Sequence, residues 1–226
     1  HIPPASPSTV LAIGRSGPFR SVNYGGDWIG IGTGQATYAE WNTLITDPTD
    51  AGMVLMAEEH QGKIMRSTNA GASFTVVFTH PQANASDVAT RQGFKTLAVA
   101  PSNPGTIYAG LARERGTREQ GGTPVGRVIY RSTDGGRSFV AAGSALDGKN
   151  VLKLIVHPTQ PDTVWAATSG GVYKTTDGST NWILLALGGK NILALAADAG
   201  SNVIVASEKD VGIWTSEDAG GTWSGP

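Results

Sequence analysis

Glu58-Glu59-His60 is a run of three consecutive groups able to transfer protons. Two carboxylates do acid–base work together when one is held protonated beside its ionised neighbour. Here they follow the strand-like run Val54-Leu55-Met56-Ala57, and adjacent strand residues point to opposite faces, so Glu58 and Glu59 are weak catalytic candidates. Glu59 and His60 lack further clustered ligands, and His1, His80 and His157 are scattered without zinc spacing. The absence of cysteine removes thiolate metal sites, a thiol nucleophile and disulfides. No metal and no cofactor are expected.

Two further groups have the right chemistry for binding. Arg113, Arg115 and Arg118 offer guanidinium forks that match carboxylate or phosphate, although Glu114 and Glu119 neutralise them locally. A solvated, charge-balanced loop is the reading placed ahead. Tyr38 and Trp41, beside Glu40, would stack on a sugar ring if exposed. The reading placed ahead is that Trp41 caps the edge of the core.

The remaining prominent acids belong to a recurring octapeptide: Ser/Thr, any, Asp/Asn, any, Gly, any, any, Trp/Phe. It occurs at Ser21–Trp28 (Asn23, Gly25), Ser67–Phe74 (Asn69, Gly71), Ser132–Phe139 (Asp134, Gly136), Thr175–Trp182 (Asp177) and Ser216–Trp223 (Asp218, Gly220). Ser179 alone breaks the glycine column. The acid or amide suits an Asx-type turn, the glycine supplies φ > 0, and the closing aromatic is expected to pack beneath the turn. Asp134, Asp177 and Asp218 therefore read as turn formers rather than catalytic acids.

Around each octapeptide lie the elements that must position it. Two residues earlier stand Phe19, Met65, Tyr130, Tyr173 and Trp214; one residue earlier stand Arg20, Arg66, Arg131, Lys174 and Thr215. That alternation predicts a strand with one packed and one solvated face. Upstream, Thr96–Tyr108 aligns without a gap on Lys153–Trp165 and on Thr43–Leu55, and more loosely on Ile192–Ile204, each a strand pair around a turn. Every unit thus reads as four strands, A to D. Strand A ends near Pro48, Pro101, Pro158 or Ala197, and B is centred on Leu55, Tyr108, Trp165 or Ile204. Strand C ends at the octapeptide, and D begins at its aromatic. The prediction is an all-β chain: one β-propeller domain of about five four-stranded antiparallel blades, in units 1–40, 41–93, 94–150, 151–189 and 190–226.

These motifs resemble the BNR or Asp-box repeat superfamily of β-propellers over essentially the whole chain. Its members include sialidases, xyloglucan-cleaving endoglucanases, sortilin-type receptors and the photosystem II assembly-factor propeller. The resemblance is specific for the repeat and unspecific for activity. The sialidase Arg-Ile-Pro signature is replaced by His1-Ile2-Pro3. The endoglucanases place a catalytic Asp before a Gly-Gly-Ala-Tyr-Arg type stretch; here the stretch is Ser16-Gly17-Pro18-Phe19-Arg20, with Gly14 at the Asp position. Both comparisons count against catalysis.

In such a fold the D-to-A and B-to-C loops share one face and the octapeptides lie on the other. Two loops on the first face exceed the repeat: Thr79–Lys95, with His80, Asp87 and Arg91, and Ala112–Arg127. The favoured function is a non-catalytic binding or scaffold module engaging a glycan or protein through that face, with a glycoside hydrolase as the alternative. A net charge of −1 points away from nucleic acid, and no stretch is apolar enough to insert in a membrane. The first unit begins inside strand A and the fifth stops barely into D. The chain reads as an excerpt of a larger propeller, ahead of five blades closing alone, and its open blade edges allow self-association. An extracellular or periplasmic location is expected.

Overall fold

The computed structural model describes residues 1–3, 6–14, 17–32, 41–82, 92–113, 122–198, 200 and 202–226. They form five antiparallel sheets in chain order. Sheet 1 holds β1 (Val10–Gly14), β2 (Gly17–Ser21) and β3 (Ile29–Gly30). Sheet 2 holds β4 (Trp41–Thr46), β5 (Val54–Glu58), β6 (Lys63–Ser67) and β7 (Thr75–Thr79). In sheet 3 are β8 (Gln92–Val99), β9 (Ile107–Arg113), β10 (Ile129–Ser132) and β11 (Val140–Ala141). Sheet 4 contains β12 (Val151–Val156), β13 (Val164–Thr168), β14 (Gly171–Thr175) and β15 (Ile183–Ala186). Sheet 5 contains β16 (Ile192–Ala197), β17 (Ile204–Glu208) and β18 (Gly212–Ser216), with a bridge from Thr215 to Ser224. Each strand pairs with its sequence neighbour, so every sheet is a meander.

The sheets stack face to face through their first strands: β4 packs on β8, β8 on β12, and β12 on β16. Val54-Leu55-Met56-Ala57 and Val164-Trp165-Ala166-Ala167 are buried on both faces, as second strands sandwiched between neighbouring sheets must be. Backbone bonds to side chains lock the stack near its centre. Leu97 N–H donates to Thr43 Oγ1 (3.3 Å) and Leu154 N–H to Thr96 Oγ1 (3.1 Å), each hydroxyl serving the next sheet. The first two strands of sheets 2 to 5 share one irregularity, a bulge between Trp41 and Thr43, Phe94 and Thr96, Val151 and Lys153, and Ile192 and Ala194.

All five octapeptides form the turn that follows β2, β6, β10, β14 or β18, by one scheme. The leading Ser or Thr is buried; its hydroxyl donates to the Asx side chain and accepts the N–H of the fifth residue, as in Ser132 Oγ to Asp134 Oδ1 (2.8 Å) and Gly136 N to Ser132 Oγ (2.9 Å). The Asx oxygen then accepts the N–H of the seventh residue, and the two side chains bond each other. The pairs are Asn23–Asp27, Asn69–Ser73, Asp134–Ser138, Asp177–Asn181 and Asp218–Thr222. That third-to-seventh complementarity was not read from the sequence. The fourth residue's N–H donates back to the turn between the first and second strands, as from Gly135 to Gly105 (3.0 Å) and from Ala219 to Asn202 (2.8 Å).

Three expectations need correction. Residues four and five both carry positive φ (Ala70 56°, Gly71 79°; Ala219 57°, Gly220 93°), so turning alone does not single out the glycine column. Its stricter demand is space: a Cβ on Gly71 would lie 2.7 Å from Leu11, and one on Gly136 2.6 Å from Leu55, both side chains of the preceding sheet. The column of Arg20, Arg66 and Arg131 is not simply solvated. Arg20 Nε donates to the Ala70 carbonyl (2.9 Å) and Arg66 Nε to that of Gly135 (2.8 Å), the fourth residue of the next sheet's turn, while Arg131 pairs with Asp162. Finally, Phe139 and Trp182 are buried as expected, but Trp28 is 44 % exposed, its ring lying along Gly25 in sheet 1, which packs on one described sheet only.

Candidate functional site

The octapeptide turns are built for folding, and their acids are spoken for. Asp134 is held at about 2: slight burial opposes ionisation, but the Ser138 hydroxyl and N–H, the Ser132 hydroxyl and the Arg137 N–H outweigh it. Asp177 and Asp218 are likewise held at about 2, chiefly by the backbone and side chain of Asn181 and of Thr222. A carboxylate so stabilised as the anion is a poor general acid at neutral pH.

The opposite ends of the sheets gather the other candidates. Glu58 ends β5 opposite Trp41, the first residue of β4. Its carboxylate is buried and accepts the N–H of His60 (2.8 Å) and of Gln61. Glu59 pairs instead with Lys95 Nζ (3.1 Å), reaching toward β8. Glu58 closes β5 and Glu59 lies just beyond it, so the two carboxylates are set apart by the turn that follows the strand and not by alternation along it. Trp41 is 3 % exposed and packs with Met56 and Met65, flanked by Ile13, Leu44 and Phe74. The ring belongs to the seam between sheets 1 and 2, so it offers no surface for stacking on a sugar.

Loop boundaries shift relative to expectation. Gln92 to Lys95 belong to β8, and Arg113 ends β9, because both strands pair across the segment assigned to loops. Arg113 N–H donates to Asn150 Oδ1 (2.7 Å), and its guanidinium folds onto the loop backbone, donating to the Thr123 carbonyl (3.2 Å). Tyr38, Arg115 and Arg118 lie outside the described residues, as do Asp87 and Arg91.

Two sites on this face went unread in the sequence. Gly148-Lys149-Asn150-Val151 recurs as Gly189-Lys190-Asn191-Ile192. Each lysine lies over the aromatic of its own sheet's third strand, Lys149 over Tyr173 (5.8 Å) and Lys190 over Trp214 (4.7 Å). In sheet 5, Glu208 completes a triangle, accepting from Trp214 Nε1 (2.8 Å) and pairing with Lys190 (3.1 Å). The repeated Gly-Lys-Asn before β12 and β16 is the signal in the sequence for this pair of sites. At the far end of the first strands, an open groove of about 320 Å³ is lined by Leu97, Val99, Lys153, Ile155, Pro158 and Asp198, among others. Among the described residues, no three acids or histidines cluster as metal ligands.

No protein-family model matches the sequence. Over 154 residues, 62% of the chain, it is 27% identical to a probable oligoxyloglucan-reducing end-specific xyloglucanase of Neosartorya fischeri, spanning 17% of that protein. Among solved structures, an ancestral GH74 enzyme superposes with a TM-score of 0.73 at 19% identity, over 98% of this chain and 30% of the other. The GH74 xyloglucanase from Xanthomonas campestris gives 0.69 at 17% identity, over 100% of this chain and 37% of the other. YCF48 bound to D1 peptide gives 0.59 at 16% identity, over 92% and 59%. The chain folds as β-propeller blades.

Within that propeller, the Glu58–His60 turn and the described flanks of the long loops, at the ends of β7 and β9, lie at the strand ends opposite the octapeptide turns. The chain spans about a third of the GH74 structures it matches. The face carries buried or paired carboxylates, lysines over aromatic rings, and loop backbone held by Arg113 and Asn150. Such a surface supplies oriented donors and acceptors.

Proposed function

We propose that this propeller is a glycan-binding module whose ligand is a β-glucan of the xyloglucan type, engaged by the face formed by the long loops. The observation that carries this reading is the commitment of both carboxylates there: Glu58 accepts backbone N–H groups and Glu59 holds Lys95. Likeness to xyloglucanases supports the ligand class. Lysine-covered aromatics and exposed loop backbone suit hydroxyl-rich sugars, whose affinity comes from many oriented hydrogen bonds and ring contacts. The location proposed is extracellular or periplasmic, where such a polymer is met.

A hydrolase is the second reading, favoured by the 27% identity to a xyloglucanase. Calorimetric titration with xyloglucan oligosaccharides, run beside a reducing-end assay, separates the two. Saturable binding without new reducing ends is expected. Turnover abolished by Glu58→Gln or Glu59→Gln establishes the hydrolase instead. Absence of heat with every β-glucan tried sinks the glycan ligand.

A further inference from the structure

His80 follows β7 and is almost fully buried, edge-on to Tyr130 (5.5 Å, 85°) and Phe94 (6.4 Å, 77°). Its hydrogen bonds define one tautomer. Nδ1 faces the Gln82 N–H (3.2 Å), which can only donate, and Nε2 faces the Arg127 carbonyl (3.3 Å), which can only accept. The proton therefore sits on Nε2. Gln92 is equally fixed: its Oε1 accepts the Val125 N–H (2.8 Å) and its Nε2 donates to the Val125 carbonyl (2.9 Å). Its amide NH₂ consequently also points at Nδ1, at 3.5 Å. Among the described residues, these donors and acceptors are consistent with a neutral imidazole.

These bonds join two segments that the chain separates widely. Gln82 and Gln92 flank the loop between sheets 2 and 3, whereas Val125 and Arg127 lead into β10 from the loop of sheet 3. Gln82 also lies against Gly126. We propose that His80 is a pH-sensitive clasp that holds the two long loops of the ligand-facing side together while neutral and releases them when protonated. Among the described residues, a proton on Nδ1 would face two donors, Gln82 N–H and Gln92 Nε2–H, and no acceptor.

Among the described residues, burial and the Arg127 carbonyl set the direction in which His80 shifts, rather than a neighbouring charge. The surrounding elements carry Lys63 on β6, Lys95 on β8, and Arg127 and Tyr130 at β10. Lys95 is paired with Glu59 and Arg127 with Asp147. Burial lowers the His80 pKa from 6.5, partly opposed by the Arg127 carbonyl, and raises that of Tyr130, which stays a neutral phenol. The sign follows: a depressed folded value gives stabilisation that is complete above 6.5 and lost as pH falls below it.

The clasp does not depend on the identity of the ligand. Amide exchange of Gln82 and Val125 by NMR, corrected for intrinsic rates, reads its opening. Between pH 7.5 and pH 5 the open population is expected to rise by up to about thirty-fold, the limit in which the closed form takes up no proton. His80→Asn keeps an acceptor for Gln82 without a titrating group, so its protection is expected to stay constant over that range. Unchanged protection in the unaltered chain overturns the proposal. So does an equal pH response in His80→Asn, or parallel loss at Leu154 and Trp165, which marks global unfolding.

Discussion

Arg66 Nε donates to the carbonyl of Gly135 at 2.8 Å, tying the third strand of one blade to the turn of the next across 69 positions of sequence. Arg20 and Ala70 repeat the relationship one blade earlier at 2.9 Å. An arginine that looks like a solvated strand residue is thus a fastener between blades.

Replacing Arg66 by Met keeps the stem's packing and removes the donor. A charged hydrogen bond to a partly buried carbonyl is worth about 2 kcal/mol. Thermal denaturation is expected several degrees lower, with Arg66→Lys intermediate because an ammonium lacks the Nε geometry. An unchanged midpoint for Arg66→Met would mean that the bond contributes nothing.

The fourth octapeptide carries Ser179 where the others have glycine. Its φ is 80°, it is fully buried, and its hydroxyl has no hydrogen-bond partner among the described residues. Positive φ costs a non-glycine residue about 1 kcal/mol or more, and an unpaired buried hydroxyl about 1–3. Glycine's extra chain entropy costs about 0.5–1. Ser179→Gly is therefore expected to stabilise by about 1 kcal/mol in chemical denaturation. At Gly136 the reverse holds: Gly136→Ala must displace Leu55 and is expected to destabilise by about 1–3 kcal/mol, part of which Leu55→Ala relieves in a double-mutant cycle.

Asp134, Asp177 and Asp218 are held at about 2 against an ordinary 3.8. Their contribution is complete above pH 3.8 and is lost as pH falls toward 2. Acid unfolding should lie in that window. Asp134→Asn is expected to weaken the acid step while keeping neutral-pH stability, since Ser138 can reverse its hydroxyl as Ser73 does opposite Asn69. Asp134→Ala loses the acceptors and is expected to cost about 1 kcal/mol at pH 7. A circular-dichroism pH titration of the three proteins checks the order.

Trp41→Ala empties a position in the seam between the first two blades, so a loss of about 3–5 kcal/mol is expected, with Trp41→Phe retaining most of the stability. Full stability in Trp41→Ala would place the ring outside the core.

The strand order and the turns were legible because each carries a local chemical signature. Pro-Ser-Asn-Pro-Gly needs a bend, and Ser-Thr-Asp-Gly-Gly needs positive φ wherever it occurs. What joins blades is not local. Arg66 meets Gly135, Thr43 meets Leu97, and Gly71 meets Leu11, contacts whose partners lie 50 or more residues apart. Alternation alone called the arginine column solvated, because it counts polarity and cannot see a neighbouring blade. At the candidate face, strand alternation does not account for the separation of Glu58 from Glu59, because β5 ends at Glu58 and Glu59 belongs to the turn beyond it. The His80–Gln92–Val125 bonds were not legible, since they depend on two loops meeting.

The bulge shared by the innermost strands has one more effect. It lifts Asn42, Lys95, Leu152 and Leu193 out of the pairing register of their sheets. These four sockets near the hub carry an amide, a cation and two aliphatic groups on one unaltered backbone. Side-chain identity there is uncoupled from the ladder, so the hub's character is free to diversify from blade to blade while the framework stays constant.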